Sequence, residues 1–208
     1  MDPNPHVLCW NVRGLNNPAK KHAVREFVVA AKVSLVCLQE TKLDVFDPFI
    51  IMQCIGPSFD GFDYVPAAET RGGILLAWDS TVLSVNNIVR VSNSITGLVI
   101  DKGGSNWWVT VVYGQEGEGP KTQFLCDLHA LRAACPGPWM VLGDFNMILR
   151  AEDKSNNNIN RRIMRRFKEF VDNNELKEVY MHGRRFTWTN EREQPVMTKI
   201  DRVLVTVD

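Results

Sequence analysis

Apolar positions along this chain follow two periods. Runs dominated by apolar or β-branched residues, at about 6–12, 33–39, 62–66, 73–79, 82–91, 95–101, 106–113, 138–143, 177–181, 185–190 and 199–205, read as strands. Helical spacing appears at Val24, Phe27, Val28 and Ala31 after Lys20-Lys21, at Phe124, Leu128 and Leu131 after Pro120, and at Ile163, Phe167, Phe170 and Val171. Each of these segments has one apolar stripe and one charged face, which predicts a helix lying stripe-inward on a sheet. The turn signals Asp79-Ser80, Ser92-Asn93 and Lys102-Gly103-Gly104 favour antiparallel hairpins. Helices follow only some of the strands, so the pattern fits two packed sheets with helices on their outer faces better than a regular βαβ array.

Several strands end in polar groups. Trp139-Met140-Val141-Leu142-Gly143-Asp144-Phe145-Asn146 runs an apolar strand into Gly-Asp-x-Asn, and the two-residue period aims the carboxylate and the carboxamide to one side of the pleat. That pair suits phosphate hydrolysis, because the carboxylate can orient or deprotonate water while the amide meets a developing oxyanion without a repelling charge. The plainer alternative is an Asx turn. Three other strands end likewise: Val7 to Leu15 presents Asn11 and Gly14, Leu35 to Thr41 presents Glu40, and Trp108 to Gly114 presents Tyr113. Convergence of these ends at one mouth of the sandwich is the expected active site. Glu40 offers one hard oxygen to Mg²⁺, an ion that keeps several waters and needs few protein ligands; a salt bridge at the strand end is the alternative.

The ordered motifs Trp10-Asn11-Val12-Arg13-Gly14-Leu15, Gln39-Glu40-Thr41, Val112-Tyr113-Gly114, Gly143-Asp144-Phe145-Asn146, Phe186-Thr187-Trp188-Thr189-Asn190 and Ile200-Asp201-Arg202-Val203-Leu204 resemble those of the endonuclease/exonuclease/phosphatase superfamily. Within it, the chain looks most like the apurinic-like endonuclease domain of plant non-LTR (LINE-type) retrotransposons. The resemblance covers essentially the whole sequence and implies a single DNase I-like domain over residues 1–208. Its fold would be a four-layered α/β sandwich of two packed mixed, mostly antiparallel sheets flanked by helices.

The resemblance also implies roles. Glu40 and Asn11 would hold Mg²⁺, or Mn²⁺ in its place. Asp144 would activate water, Asn146 would hold the phosphate and that Asp, and Tyr113 would donate to a phosphoryl oxygen. Asp201 matches the Asp that orients a catalytic His. Arg13, Thr187, Trp188 and Arg202 would lie toward DNA. Relatives continue to a Ser-Asp-His that supplies a metal-holding Asp and a phosphate-contacting His. The 208 residues contain no Ser-Asp-His; their histidines are His6, His22, His129 and His182. Arg13 stands where abasic-site relatives carry a metal-assisting Asp. Read as truncated at the C-terminal side, the chain is expected to be an impaired or inactive endonuclease. A nucleic-acid-binding remnant, or a phosphatase or phosphodiesterase of the same superfamily, are the alternatives.

Composition narrows this only a little. Lys plus Arg and Asp plus Glu each number 24, so the net charge is zero and no global pull toward nucleic acid exists. Local basic groups remain at Arg161, Arg162, Arg165 and Arg166, after the Asn-rich stretch around Asn156-Asn157-Asn158, and at Arg184, Arg185 and Arg192. Either could track phosphates or simply form a solvated face. Hydrophobic content is 45% without a run long enough to span a bilayer, so no membrane role is expected. The N-terminus lacks the pattern of a secretory signal. Cys9, Cys37, Cys54, Cys126 and Cys135 have no metal-type spacing and read as reduced core residues of an intracellular protein. A nuclear setting and DNA as partner follow from the resemblance; no protein partner can be inferred.

Overall fold

A computed structural model describes residues 5–68, 71–190 and 192–207. The chain divides into two compact units, Met1–Tyr113 and Gly114–Asp208. In the first unit the order is β1 (Val7–Asn11), α1 (Pro18–Ala30), β2 (Leu35–Gln39), α2 (Pro48–Cys54), β3 (Gly61–Ala68), β4 (Arg71–Trp78), β5 (Leu83–Val91), β6 (Ser94–Asp101) and β7 (Asn106–Tyr113). One sheet runs β1-β2-β4-β3, with β1 and β2 parallel and the remaining pairs antiparallel; β5, β6 and β7 form an antiparallel meander. The two sheets pack face to face through β2, β3 and β4 against β5, β6 and β7.

Strand β2 shows why. All five of its residues are buried, so both of its faces must be covered. Val36 and Leu38 join Val24 and Val28 of α1 and Ile51 and Cys54 of α2 in a common apolar cluster under the helices. Both helices start by the same device: Asn17 and Asp47 cap them through Ala19 N (2.8 Å) and Ile50 N (2.7 Å), with a proline at the first helical position. Burial pushes the Cys54 thiol up to about 11 and Cys37 upward as well.

The second unit contains α3 (Glu118–Ala134), β8 (Trp139–Asp144), α4 (Arg161–Asn173), β9 (Leu176–Glu178), β10 (Trp188–Thr189), β11 (Met197–Thr198) and β12 (Asp201–Thr206). Strand β12 lies between β8 and β9, antiparallel to both. Helix α4 is capped by Asn160 and brings Phe167 and Phe170 onto Phe145 and Trp139, with ring centroids 5.0 and 6.5 Å apart. No helix among the described residues is long and apolar enough to cross a membrane.

Some expectations change. The short helix α2 escapes notice in the sequence because seven residues cannot display a clear period. Asp79-Ser80 does not close a hairpin: β4 and β5 belong to different sheets, and the turn crosses between them. The strand expected at 185–190 is reduced to Trp188–Thr189, paired with Met197–Thr198 rather than with the main ladder. Phe27, expected inward, is 51% exposed and meets the edge of Trp10 at 5.6 Å. Cys126 is exposed, whereas Cys37, Cys54 and Cys135 are buried as expected.

One ion network organises the second unit. The Arg202 side chain is fully buried and reaches Asp153 Oδ2 at 2.5 Å, Glu178 Oε1, and the carbonyl of Lys199 at 3.1 Å. Glu178 is also held by Lys199 at 2.6 Å and Arg150 at 3.0 Å. Burial raises the Glu178 carboxyl, but the hydrogen bond from Lys199 and the charges of Arg202 and Lys199 outweigh it and leave Glu178 below the ordinary carboxylate range. Arg202→Met should therefore lower unfolding free energy by about 3–5 kcal/mol in urea titration, because the buried Asp153 carboxylate loses its cationic partner and Glu178 loses one of three. Since Glu178 is depressed in the fold, its contribution is fully present above the unfolded value of about 4.3 and is lost as pH falls through the folded value. The stability lost between pH 6 and pH 3 should be smaller in Glu178→Gln than in the native chain.

Candidate functional site

In the first unit, β1 and β2 are parallel and in register from Val7↔Leu35 to Asn11↔Gln39, so their C-terminal ends reach one rim. The two chains continue side by side beyond the sheet through Val12 N to Gln39 O (3.0 Å), Gly14 N to Glu40 O (2.7 Å) and Leu15 N to Thr41 O (2.8 Å). Thr41 N and Lys42 N bond the carbonyls of Gly73 and Gly72 on the other side. This double clamp holds Glu40 (φ 54°) and Lys42 (φ 57°) in the left-handed region, which L residues visit at a cost of about 1–2 kcal/mol. Gly73 is obligatory in the clamp: a Cβ there would sit 2.3 Å from Thr41 Oγ1.

The Glu40 carboxylate is 3.3 Å from Lys42 Nζ and its side chain is 21% exposed. Asn11 is half-buried, and its Oδ1 accepts from Arg13 N at 3.1 Å, which fixes the direction of the amide. Arg13 is exposed, with φ 50° and its carbonyl bonded by Lys20 Nζ at 2.9 Å. Tyr113 closes β7 half-buried, its N–H on Asn93 O at 3.0 Å. Glu40 and Asn11 thus place two hard oxygen donors on adjacent strand ends. Among the described residues no group of three or more His, Cys, Asp or Glu gathers as a metal cage. This donor set fits a hard, sparsely ligated, water-rich divalent cation rather than a thiolate- or imidazole-bound ion.

In the second unit, β8 ends in a knot of backbone bonds. Asp144 is buried; its Oδ1 accepts from Asn146 N at 2.8 Å, and its carbonyl accepts from Gly114 N at 2.6 Å. Asn146, left-handed at φ 51°, donates Nδ2 to Gly114 O at 2.7 Å. Asn tolerates this conformation better than most residues. Gly114 has to be glycine, since a Cβ would lie 2.1 Å from Phe145 O. Asp201 stands directly opposite Asp144 in the β8–β12 register, so two carboxylates share one face of the ladder. Such a cross-strand pair repels unless a cation, a proton or a hydrogen-bond donor intervenes. Lys121 is near: burial drives its ammonium below the ordinary lysine range, while Glu116 and Asp144 pull it back up and Lys154 lowers it further.

Thr187 and Arg202 are both tied into the fold by their side chains. Thr187 Oγ1 accepts from Ile200 N (3.0 Å) and Asp201 N (3.1 Å), so its hydroxyl anchors the start of β12. Arg202 is buried in the ion network, out of reach of an external phosphate. Trp188, by contrast, is 37% exposed on the β10–β11 hairpin. Gly114 and Thr187 as positioning residues were missed. Gly114 has the local signal of a glycine directly after a strand; Thr187 has none, because its partners are thirteen and fourteen residues away.

A family model described as the endonuclease/exonuclease/phosphatase family matches residues 8–208. No curated protein sequence matches. Among solved structures, the chain is similar to the AP endonuclease LMAP from Leishmania major, at 19% identity and TM-score 0.72 over 96% of this chain and 78% of that one. It is also similar to the endonuclease domain of TRAS1, a telomere-specific non-LTR retrotransposon, at 13% identity and TM-score 0.69 over 98% and 85%. A third similar structure is D. rerio TDP2 complexed with single strand DNA product, at 16% identity and TM-score 0.65 over 96% and 82%. These likenesses show the fold: two packed mixed sheets flanked by helices.

Gly114→Ala should destabilise the chain by about 1–3 kcal/mol in urea titration, since the added methyl must displace the Phe145 backbone. Gly119→Ala in α3, where a Cβ meets nothing within 4 Å, should be neutral or stabilising. Equal effects at the two positions would contradict the close approach of Gly114 to the Asp144 turn.

Proposed function

Because the chain belongs to the endonuclease/exonuclease/phosphatase family, we propose that it is a divalent-metal-dependent phosphodiester hydrolase whose substrate is DNA, of the retrotransposon-endonuclease kind. The observation that carries this reading is the Gly143-Asp144-Phe145-Asn146 turn. A buried carboxylate and a carboxamide are locked there by backbone bonds, with Asp201 opposite.

Asp144 is assigned the attacking water: its carboxylate orients the water and takes its proton as the oxygen attacks phosphorus. Asn146 donates to a phosphoryl oxygen and keeps Asp144 in place. The Tyr113 hydroxyl donates to a second phosphoryl oxygen, where charge grows in the transition state. Asp201, tied at its N–H by Thr187, occupies the position of the Asp that in relatives orients the Ser-Asp-His histidine, a residue absent from these 208 positions. Glu40 and Asn11 would hold Mg²⁺ or Mn²⁺, which when bound stabilises charge on the phosphoryl and leaving oxygens. DNA is preferred to other phosphoesters because the β10–β11 hairpin keeps Trp188 and Met197 each 37% exposed, apolar side chains of the sort that wedge into a minor groove. Exposed Arg13 supplies a cation beside Asn11 for the phosphate backbone.

The test is nicking of supercoiled DNA by the purified 208-residue chain. Slow Mg²⁺-dependent nicking is expected, abolished by chelation and reduced about 10²–10³-fold or below detection in Asp144→Ala and in Glu40→Ala. Fusing a segment that carries Ser-Asp-His should accelerate it by a similar factor. Robust cleavage that persists in Asp144→Ala would overturn both the mechanism and the residue assignments.

A further inference from the structure

The second unit contains a groove of about 570 Å³ beside the ion network. Asp153 and Lys199 line it together with Arg150, Tyr180, Arg184 and Arg185, and none of Asp144, Asn146 or Asp201 takes part. Of its two lining acids, Asp153 is bound by Arg202 and Glu152 is exposed, while the lining cations Arg150 and Lys199 are engaged by Glu178 beneath, which leaves four basic side chains against two acidic ones on the lining. Arg184 is exposed and forms no ion pair among the described residues. Arg185 is exposed too, but it is fixed in place. Its Nη2 donates to the carbonyl of Glu152 at 3.0 Å and its guanidinium carbon lies 5.2 Å from the Phe186 ring, contacts that leave its charge uncompensated. At the same rim Tyr180 is 77% exposed. It does not hang loose: Val179 N bonds Val203 O at 2.9 Å, and the His182 ring packs edge-on against Tyr180, with centroids 4.7 Å apart and planes at 84°.

We propose that this groove binds a single-stranded stretch of nucleic acid, with a base stacked on Tyr180 and the flanking phosphates on Arg184 and Arg185. An oriented, solvent-facing aromatic next to uncompensated guanidinium groups is the combination that unpaired nucleotides require. A duplex has no base face to offer the tyrosine, and a groove of this volume takes one or two nucleotides rather than a double helix. The site lies outside the hydrolytic residues, and its affinity needs no metal.

Fluorescence anisotropy of a labelled oligothymidylate, titrated with the whole chain in the presence of EDTA, tests this. Tyr180→Ala should weaken binding about tenfold, and Tyr180→Phe should bind like the native chain because the ring is retained. Arg184→Ala combined with Arg185→Ala should weaken binding about tenfold at low salt. It should also reduce the log–log salt slope by about 1.4, since each phosphate neutralised on a single strand contributes about 0.7. Binding in EDTA removes any metal-assisted contribution, which separates this site from hydrolysis. An unchanged salt slope in the double arginine variant would overturn the proposal. So would equal losses in Tyr180→Phe and Tyr180→Ala, duplex bound as well as single strand, or equal competition by anionic lipid vesicles. The side chains concerned are exposed, and circular dichroism should report unaltered folding in each variant.

Discussion

The second unit depends on the burial of one guanidinium. A charge removed from water must find fixed partners, and Arg202 draws them from the turn at Asp153, from β9 through Glu178, and from the segment entering β12 through the carbonyl of Lys199. Asp153 also caps its own turn, accepting from Leu149 N at 2.9 Å and Arg150 N at 2.7 Å. The turn that follows the Asp144 segment, the edge strand and the central strand are therefore tied to one point. The register of β12 follows, and with it the position of Asp201 opposite Asp144.

Backbone strain is present at three candidate residues, as it is at Lys32, Lys42, Asn87 and Glu175. Arg13, Glu40, Lys42 and Asn146 all have positive φ, and each lies just beyond the end of a strand. Such conformations persist only where surrounding bonds overdetermine them. The clamp of residues 40–42 between the segment after β1 and the carbonyls of Gly72 and Gly73 meets that condition, as does the bonding of Asn146 to both Asp144 and Gly114. The strain gives these polar side chains one direction each, which is what hydrolytic chemistry asks of them.

Charge follows the same logic of local arrangement. The basic cluster of α4 is largely turned toward its own fold: Arg162 pairs with Glu118, Arg165 with Glu169, and Arg166 bonds the Thr122 hydroxyl. Exposed pairs of this kind contribute little stability, but they reduce the field available to an incoming phosphate. Arg184 and Arg185 are differently placed, so a chain of zero net charge still carries an uncompensated basic edge.

The sequence alone determined the strand series from β1 to β8, the helices α1, α3 and α4, and the polar residues at the strand ends, because periodicity and turn chemistry are local properties. Gly143-Asp144-Phe145-Asn146 was legible in this way, as were Asn11, Glu40 and Tyr113 at their strand ends. What tertiary structure alone decided were pairings across long separations. The crossing of Asp79-Ser80 between sheets, the shrinkage of the strand at 185–190, and the use of Thr187 as an anchor for β12 each depend on partners distant in sequence. Arg202 shows the difference most plainly. Its neighbour Asp201 marked a motif, but whether its charge faced solvent or the interior was settled by Asp153 and Glu178, forty-nine and twenty-four residues away.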